Sequence, residues 1–263
     1  MSIYMDRTAL VFFVTIAAVL GAVMGSFLNC AAWRVVHGES FVRGRSHCVN
    51  CGHELTPLEL IPVLSWVIQG GKCRACGQKI SIRYPLTELA FSLVTVLCLL
   101  RFDLTALCLR NYLFLCCLFL LTLTDLDEMV IPDGCHIAAV IIWAAFLPFL
   151  FTGWRDALVS VLAGLTFGGG LLAVSLVMDR VLGRDSMGGG DIKLFAVVGL
   201  YLGFIGTLFA VVMACVIGLL LSLVLKRRGE DRAFPFGPSI ALATAVMLLY
   251  GAPLIGWYQR LIM

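Results

Sequence analysis

Four cysteines in two pairs are the residues whose spacing most directly indicates chemistry. Two residues separate Cys48 from Cys51 and Cys73 from Cys76, and 21 residues lie between the two pairs. Two Cys-x-x-Cys turns at this separation are typical of four thiolates that hold one zinc ion in a closed tetrahedral shell. A redox-active pair, two disulfides, or no joint role for the four cysteines are the alternatives. The spacing therefore predicts a structural zinc site without an open catalytic position.

Carboxylates beside apolar segments form a second group of candidate residues. Asp125 closes one apolar segment, and Asp191 opens another directly after the triplet Gly188–Gly190. Ionisable groups at such positions are costly in a membrane and are functional candidates by default. Two carboxylates in one site can act as an acid–base pair, because like charges in contact cannot both ionise. The alternatives are a solvated loop acid at position 125 and a helix N-cap at position 191. Three neighbouring acids are expected to be loop residues: Asp127, Glu128 and Asp133.

The composition indicates what kind of protein must position these residues. The 263-residue chain is 61% hydrophobic and 13% charged, whereas about 25% of the residues in a typical soluble domain are charged. Its mean hydropathy is +1.01. A soluble protein of this size could not cover so much apolar surface with polar groups. A soluble enzyme, a disordered chain and a nucleic-acid binder are nearly excluded, and an all-α polytopic membrane protein is predicted.

Apolar runs predict the helices. A bilayer-spanning helix needs about 20 mostly apolar residues. On that criterion we expect about eight transmembrane helices, or seven if Gly203–Gly206 does not separate the sixth from the seventh. The eight runs are Thr8–Trp33, Tyr84–Leu100, Asn111–Thr124, Ile131–Phe151, Ala157–Val177, Ile192–Leu202, Phe204–Leu225 and Pro238–Trp257.

The distribution of lysine and arginine predicts the orientation. If the loop Arg34–Arg83 is cytoplasmic, 14 of the 19 basic residues lie on the cytoplasmic side, as the positive-inside rule expects. Both termini then lie outside, and the loop cysteines stay reduced. Two helices separate Asp125 from Asp191, so both acids return to the same membrane face.

The order of several short motifs resembles the type IV prepilin peptidase family. The match includes both Cys-x-x-Cys pairs and extends from about residue 20 to about residue 240. The other motifs lie within Gly25–Asn29, Pro57–Trp66, Gly71–Arg74, Ile80–Glu88, Asp125–Asp133 and Gly188–Lys193.

This resemblance implies an aspartic peptidase of the bacterial inner membrane. Such an enzyme removes the short basic leader of type IV prepilins or pilin-like subunits at the cytoplasmic face. The family's catalytic acids fall on Asp125 and Asp191. Many members then methylate the new amino terminus with S-adenosylmethionine, a function attributed to the large loop, where Gly71 and Lys72 match. A peptidase without methyl transfer is the alternative.

These interpretations divide the chain into three parts. We expect a first transmembrane anchor over residues 1–34, a cytoplasmic zinc-binding loop domain over 35–83, and a transmembrane aspartic peptidase domain over 84–263. The expected cofactors are structural zinc and S-adenosylmethionine as methyl donor. The expected partners are prepilin or pseudopilin substrates and the lipid bilayer, with no nucleic acid. A transporter would place its acids near the membrane midplane, and a structural scaffold would leave the paired acids unexplained.

Overall fold

The structure is a computed structural model whose described residues are 6–40, 44–151, 153–227 and 235–262. These residues form nine α-helices and one short 3-10 helix, without a β-sheet among them. The predicted all-α class is confirmed. Contacts divide the chain into two compact units, Met1–Tyr112 and Leu113–Met263.

Two long helices form the core of the first unit. Helix α1 (Arg7–Val36) packs against α3 (Arg83–Phe102). A Cβ atom added at Gly21 would lie 2.7 Å from the Cα atom of Ser92. The absence of a side chain at position 21 therefore allows the close contact between the backbones of α1 and α3. Ser92 then donates a hydrogen bond from Oγ to the carbonyl of Ala18 (2.8 Å). Small residues and interhelical hydrogen bonds of this kind hold helices together in membranes.

The segment between α1 and α3 carries the cysteine pairs. Its regular elements are a 3-10 turn at Pro57–Leu60 and the short helix α2 at Leu64–Ile68. Helix α4 (Ala106–Glu128) begins in the first unit and ends in the second.

The second unit is a helical bundle in which α8 packs against both α7 and α9. Tyr201 of α8 joins further helices, because its hydroxyl donates to the carbonyl of Ala139 (2.8 Å) and its ring stacks on Phe114 with centroids 3.7 Å apart. The remaining helices of this unit are α5 (Asp133–Ala145), α6 (Leu147–Leu150), α7 (Trp154–Leu182), α8 (Gly189–Arg227) and α9 (Gly237–Ile262).

Helix α8 contains a break at Gly203, whose φ of 66° and ψ of −170° are not helical. The ring of Phe236 lies 6.5 Å from that of Phe195, measured between centroids, and a Cβ atom at Gly218 would lie 3.0 Å from the same Phe236 ring. Positions 195 and 218 would be about 35 Å apart in a straight helix. The chain therefore reverses between them, at the place where the sequence predicted a break.

The number of membrane crossings is not fixed by helix length alone. Among the described residues, six helices are long and apolar enough to span a bilayer: α1, α3, α4, α7, α8 and α9. Helix α5 has 13 residues, fewer than the about 20 that a full crossing needs. The count of eight thus stays a prediction, and so does the three-part domain division. Three of the basic residues behind the predicted orientation, Arg43, Arg228 and Arg232, lie outside the described residues.

The contact between α7 and α8 gives a stability prediction. A Cβ atom at Gly199 would lie 2.5 Å from the Cα atom of Gly164, so Gly199→Ala must separate the two backbones. We expect a loss of about 1–3 kcal/mol, the usual range for overpacking, measured as a lower unfolding temperature in detergent. Gly169→Ala in α7 is the matched control, because no atom lies within 4 Å of its Cβ position. Equal unfolding temperatures for the two variants would contradict the packing described.

Candidate active site

Asp125 lies in the last turn of α4, which ends at Glu128. The residue is only 5% exposed, so it is not a solvated loop acid. Its Oδ2 accepts a hydrogen bond from the backbone N–H of Gly237 (2.9 Å), the first residue of α9. Backbone N–H groups at a helix start are favourable partners for a carboxylate, and this one fixes the orientation of Asp125.

The chain turns sharply after Asp125. Met129 adopts a left-handed backbone conformation, with φ of 55°. Its N–H donates a hydrogen bond to the carbonyl oxygen of Asp125 (2.9 Å). A non-glycine residue with positive φ carries about 1–3 kcal/mol of strain and persists only where its surroundings enforce it. This turn leads the chain from the end of α4 back toward Ile131 and the start of α5.

Asp191 is the third residue of α8. It therefore lies inside the helix, and Gly188 occupies the position before the first helical residue, so Asp191 is not an N-cap. Its Oδ1 is buried and has no hydrogen-bond partner among the described residues. A buried carboxylate oxygen without a partner is costly, and this oxygen is available to a water molecule or a substrate.

Two glycines let the starts of α8 and α9 approach the same side chain. A Cβ atom added at Gly190 would lie 3.0 Å from the Cβ atom of Ile131. A Cβ atom added at Gly237 would lie 3.3 Å from the Cδ1 atom of the same isoleucine. Ile131 thus packs between the first turns of the two helices. The close approach brings the Gly237 N–H to Asp125 and keeps Asp191 nearby.

Asp125 and Asp191 line one cavity of about 450 Å³. The two acids come from different helices, 66 positions apart in the sequence, so the fold brings together what the sequence predicted as a pair. Two carboxylates in one cavity can share a single proton, because both cannot ionise without strong repulsion. The other lining residues are Met129, Ser186, Met187, Gly188, Pro235 and Phe236.

An ion pair links the two acid-bearing motifs. Lys193 Nζ lies 2.7 Å from Asp133 Oδ1, which joins the first turns of α5 and α8. Asp133 was expected to be a loop residue, and it instead begins a helix. Both side chains are more than half exposed, so the pair contributes little to stability. The pair shows that the first turn of α5 lies beside the first turn of the helix that carries Asp191. The other two neighbouring acids, Asp127 and Glu128, are exposed at the end of α4.

The four predicted cysteines form one cluster in the first unit. All four sulfur atoms lie within 4.8 Å of one another, and the Sγ atoms are 4.0 Å apart both for Cys48 with Cys76 and for Cys51 with Cys73. Tetrahedral coordination at a Zn–S distance of about 2.3 Å separates the sulfurs by about 3.8 Å. The arrangement therefore fits a zinc ion. It is not a pair of disulfides, because bonded sulfurs are about 2.05 Å apart and all four cysteines are free.

One cysteine in each turn of the cluster is favoured as a thiolate. The backbone N–H groups of Asn50 and Cys51 lower the pKa of the Cys48 thiol to about 7. In the second turn, the N–H groups of Cys76 and Ala75 lower the pKa of Cys73 in the same way. Thiolates are the form of cysteine that binds metal, so each turn prepares one ligand.

Gly71 and Lys72 lie just before the second cysteine pair. Gly71 has φ of 66°, and a Cβ atom there would lie 2.8 Å from Cζ2 of Trp66. A side chain at position 71 would therefore displace the indole ring. Lys72 is exposed and forms an isolated β-bridge with Lys79. The structure gives Gly71 a packing role beside Trp66.

Comparisons with known proteins cover most of the chain. A sequence profile described as the bacterial peptidase A24 N-terminal domain matches residues 19–102. A second profile, described as the type IV leader peptidase family, matches residues 112–223. The prepilin leader peptidase/N-methyltransferase of Bacillus subtilis (strain 168) is 32% identical over 258 residues, which are 94% of this chain and 98% of that protein. This chain belongs to the type IV leader peptidase family.

Proteins of the same name from other bacteria agree with the assignment. The relative from Pseudomonas putida is 30% identical over 91% of each chain. The relative from Aeromonas salmonicida (strain A449) is 32% identical over 83% of this chain and 76% of its own. No solved structure matches the chain at comparable significance. The family resemblance predicted from the motifs is confirmed.

Gly237 is the residue of this leader peptidase site that sequence reasoning missed. It lies 112 positions after Asp125, so no local motif connects them. The available signal was the Gly237–Pro238 dipeptide before an apolar run, since proline is favoured in the first turn of a helix. That signal predicts where α9 begins and does not indicate which side chain its first N–H meets.

The contact between Gly237 and Asp125 gives a prediction for activity. A Cβ atom at position 237 would lie 2.6 Å from Asp125 Oδ2, so Gly237→Ala must displace the carboxylate. We expect the leader-cleavage rate to fall at least about tenfold, because small displacements of a catalytic group are costly. Gly256→Ala, in the same helix with no atom within 4 Å of its Cβ position, should cleave as the wild type does. Wild-type cleavage by Gly237→Ala would show that this hydrogen bond does not position a catalytic group.

Proposed function

We propose that this protein is a membrane aspartic endopeptidase that removes the basic leader from type IV prepilins or pilin-like subunits. It then methylates the new amino terminus of its product with S-adenosylmethionine. The observation that carries the peptidase half is the shared cavity of Asp125 and Asp191. The methyltransferase half is supported by the names of relatives that match nearly the whole chain.

The proposed chemistry uses the two carboxylates as one acid–base unit. The ionised carboxylate takes a proton from water as the water oxygen adds to the scissile carbonyl carbon, and the protonated carboxyl gives its proton to the carbonyl oxygen. The tetrahedral intermediate collapses when the first carboxyl passes the proton it took from water to the leaving amine and the C–N bond breaks. The second carboxylate recovers its proton from a hydroxyl of the intermediate. The N–H of Gly237 holds Asp125 in position during these steps. The buried Oδ1 of Asp191 contacts the reacting groups, since this oxygen has no hydrogen-bond partner among the described residues.

The location of the site suits a substrate that is itself anchored in a membrane. Asp125 and Asp191 lie near the ends of helices that are apolar enough to span a bilayer, and residues 126–130 beside them are exposed. The distribution of basic residues supports a cytoplasmic location for this end. We place the enzyme in the bacterial inner membrane, with its site facing the cytoplasm.

The cysteine cluster is proposed to hold a structural zinc ion. Cys48, Cys51, Cys73 and Cys76 would supply all four ligands, so no position remains for water or substrate. When bound, zinc ties the two turns together and stabilises the segment between α1 and α3. This segment also carries Gly71 and Lys72, which we associate with methyl transfer.

Substitution of the acids tests the peptidase directly. Asp125→Asn and Asp191→Asn should each lower prepilin cleavage by at least about a thousandfold, since members of a catalytic unit are not interchangeable. Asp127→Asn is the matched control, because it changes an exposed acid of the same motif and should leave cleavage within about threefold of the wild type. The measurement is the cleavage rate in membranes at equal protein levels.

Two outcomes would change the assignment. Retained cleavage by both Asp125→Asn and Asp191→Asn would end the aspartic-peptidase proposal. Loss of cleavage in Asp127→Asn with activity retained in Asp125→Asn would show that the first motif uses its other acid.

Metal analysis tests the zinc proposal. The purified protein should contain about one zinc ion per chain, and Cys51→Ser or Cys76→Ser should remove it. Cys215→Ser, which changes an exposed cysteine of α8, should keep the metal. Elemental analysis of the purified variants is the measurement. Metal-free wild-type protein, or full zinc content in both cluster variants, would contradict the proposal.

A further inference from the structure

The segment between α1 and α3 carries a cluster of exposed apolar side chains. Single exposed apolar residues are common on protein surfaces, whereas a cluster of them marks a place where another molecule or a membrane is bound. Five residues, which we call the apolar face, are each 40–74% exposed: Leu58, Ile61, Leu64, Val67 and Ile68.

The short helix α2 shows which way this face points. A helix on the surface of a soluble protein turns its apolar stripe inward and its polar residues outward. In α2, Leu64, Val67 and Ile68 are one helical turn apart and share a side of the helix, and all three are exposed. Ser65 and Trp66 instead line a cavity of the first unit. The outward side of α2 is therefore aliphatic, as it is in segments that contact lipid.

A hydrogen bond fixes the level of this segment along α3. The N–H of Val63 donates to Glu88 Oε2 (2.7 Å), and Glu88 is buried. Val63 has φ of 61°, a conformation that a β-branched residue adopts only where its surroundings enforce it. The residue directly before α2 is thus held against the side of α3, which begins at Arg83.

This level lies at the edge of the bilayer core. Helix α3 has 20 residues, and its length of about 30 Å matches the thickness of the hydrocarbon core. Its first turns therefore lie at the core boundary, and Glu88 is only about 7.5 Å along the helix from Arg83. Beside Glu88, α3 exposes Leu86 and Leu89, and the side chains that a span exposes contact lipid. The apolar face thus adjoins a residue held at the level where α3 meets lipid.

The exposed charges near the apolar face suit lipid headgroups. Between positions 57 and 88 the only acids are Glu59 and Glu88, and both are buried. Basic residues beside aliphatic ones are typical of segments that lie on anionic membranes. Outside the cysteine cluster, the exposed charged side chains of residues 57–88, all of which the structure describes, are basic: Lys72, Arg74 and Lys79.

We propose that the apolar face lies in the interface of the bilayer that α1 and α3 span, and that Arg74 and Lys79 contact anionic lipid headgroups there. Transfer of the five aliphatic side chains from water to the acyl-chain boundary removes the cost of their exposure. The segment between α1 and α3 then enters the headgroup region without crossing the core. Part of the loop domain expected over residues 35–83 is thereby anchored in lipid, and the cysteine cluster is held beside the membrane surface.

Site-specific photocrosslinking tests this contact. The photoreactive amino acid benzoylphenylalanine replaces Ile68 or Leu58, one at a time, in the full-length protein reconstituted into vesicles of phosphatidylglycerol and phosphatidylcholine. Mass spectrometry after illumination detects adducts that carry the mass of a lipid. Leu93, an exposed residue of α3, is the control for a lipid-facing position. Glu54, an exposed acid of the loop, is the control for a water-facing position.

Lipid adducts at Ile68 and Leu58 should reach at least about half the yield at Leu93 and exceed the yield at Glu54 about tenfold. An unchanged unfolding temperature in detergent shows that each variant is folded. Yields at both positions as low as at Glu54 would overturn the proposal. Crosslinks from Ile68 to a second copy of the chain or to an added prepilin, in place of lipid, would also overturn it and would identify a protein as the occupant.

The lipid composition of the adducts tests the headgroup contact. In equimolar vesicles, phosphatidylglycerol should form at least about two thirds of the lipid adducts at Ile68. In the double variant Arg74→Gln and Lys79→Gln, adducts should persist, because the apolar face is intact, and the excess of phosphatidylglycerol should fall by at least about half. Arg155→Gln, at an exposed position of α7, should keep the full excess. An excess that survives the double variant would overturn the assignment of Arg74 and Lys79.

Discussion

Two carboxylates held in one cavity of a largely apolar protein are the constraint on which the rest of this structure depends. Charges at the edge of a bilayer are costly, and two like charges side by side are costlier still. The helices around Asp125 and Asp191 compensate the two acids unequally. Asp125 receives an N–H from the start of α9, whereas Asp191 keeps a buried oxygen without a partner among the described side chains. The hydrogen bond thus offsets the cost of burying Asp125 in part, and the unpartnered oxygen of Asp191 remains available to a reacting molecule.

Glycine makes this arrangement geometrically possible. Gly190 and Gly237 let two helix starts pack against Ile131, and Gly164 and Gly199 let α7 and α8 approach until their backbones are in contact. In an apolar environment, close backbone packing replaces the hydrophobic driving force that would hold helices together in water. The same principle applies in the first unit, where Gly21 lets α1 approach the backbone of α3. Positions without a side chain thus determine where the functional side chains lie.

Local patterns in the sequence predicted the elements and the candidate residues. Apolar runs indicated the long helices, since a membrane imposes both length and composition, and the cysteine spacing predicted a cluster that the fold assembles. The acid pair was predicted because each acid follows or opens an apolar run. Long-range contacts left no such pattern. The hydrogen bond from Gly237 to Asp125, the ion pair of Asp133 with Lys193, and the packing of Gly71 on Trp66 all depend on tertiary geometry. The reversal at Gly203 shows how one residue can decide whether an apolar stretch forms one helix or two.

A structure with a bound transition-state mimic tests the central claim most directly. The ligand would be a prepilin peptide in which a tetrahedral hydroxyl-bearing carbon replaces the scissile carbonyl, because enzymes bind such mimics more tightly than substrates. The account predicts that this hydroxyl lies within hydrogen-bond distance of both Asp125 and Asp191, with the N–H of Gly237 still bound to Asp125. A hydroxyl that contacts only one of the two carboxylates, or a peptide that binds outside their cavity, would contradict it.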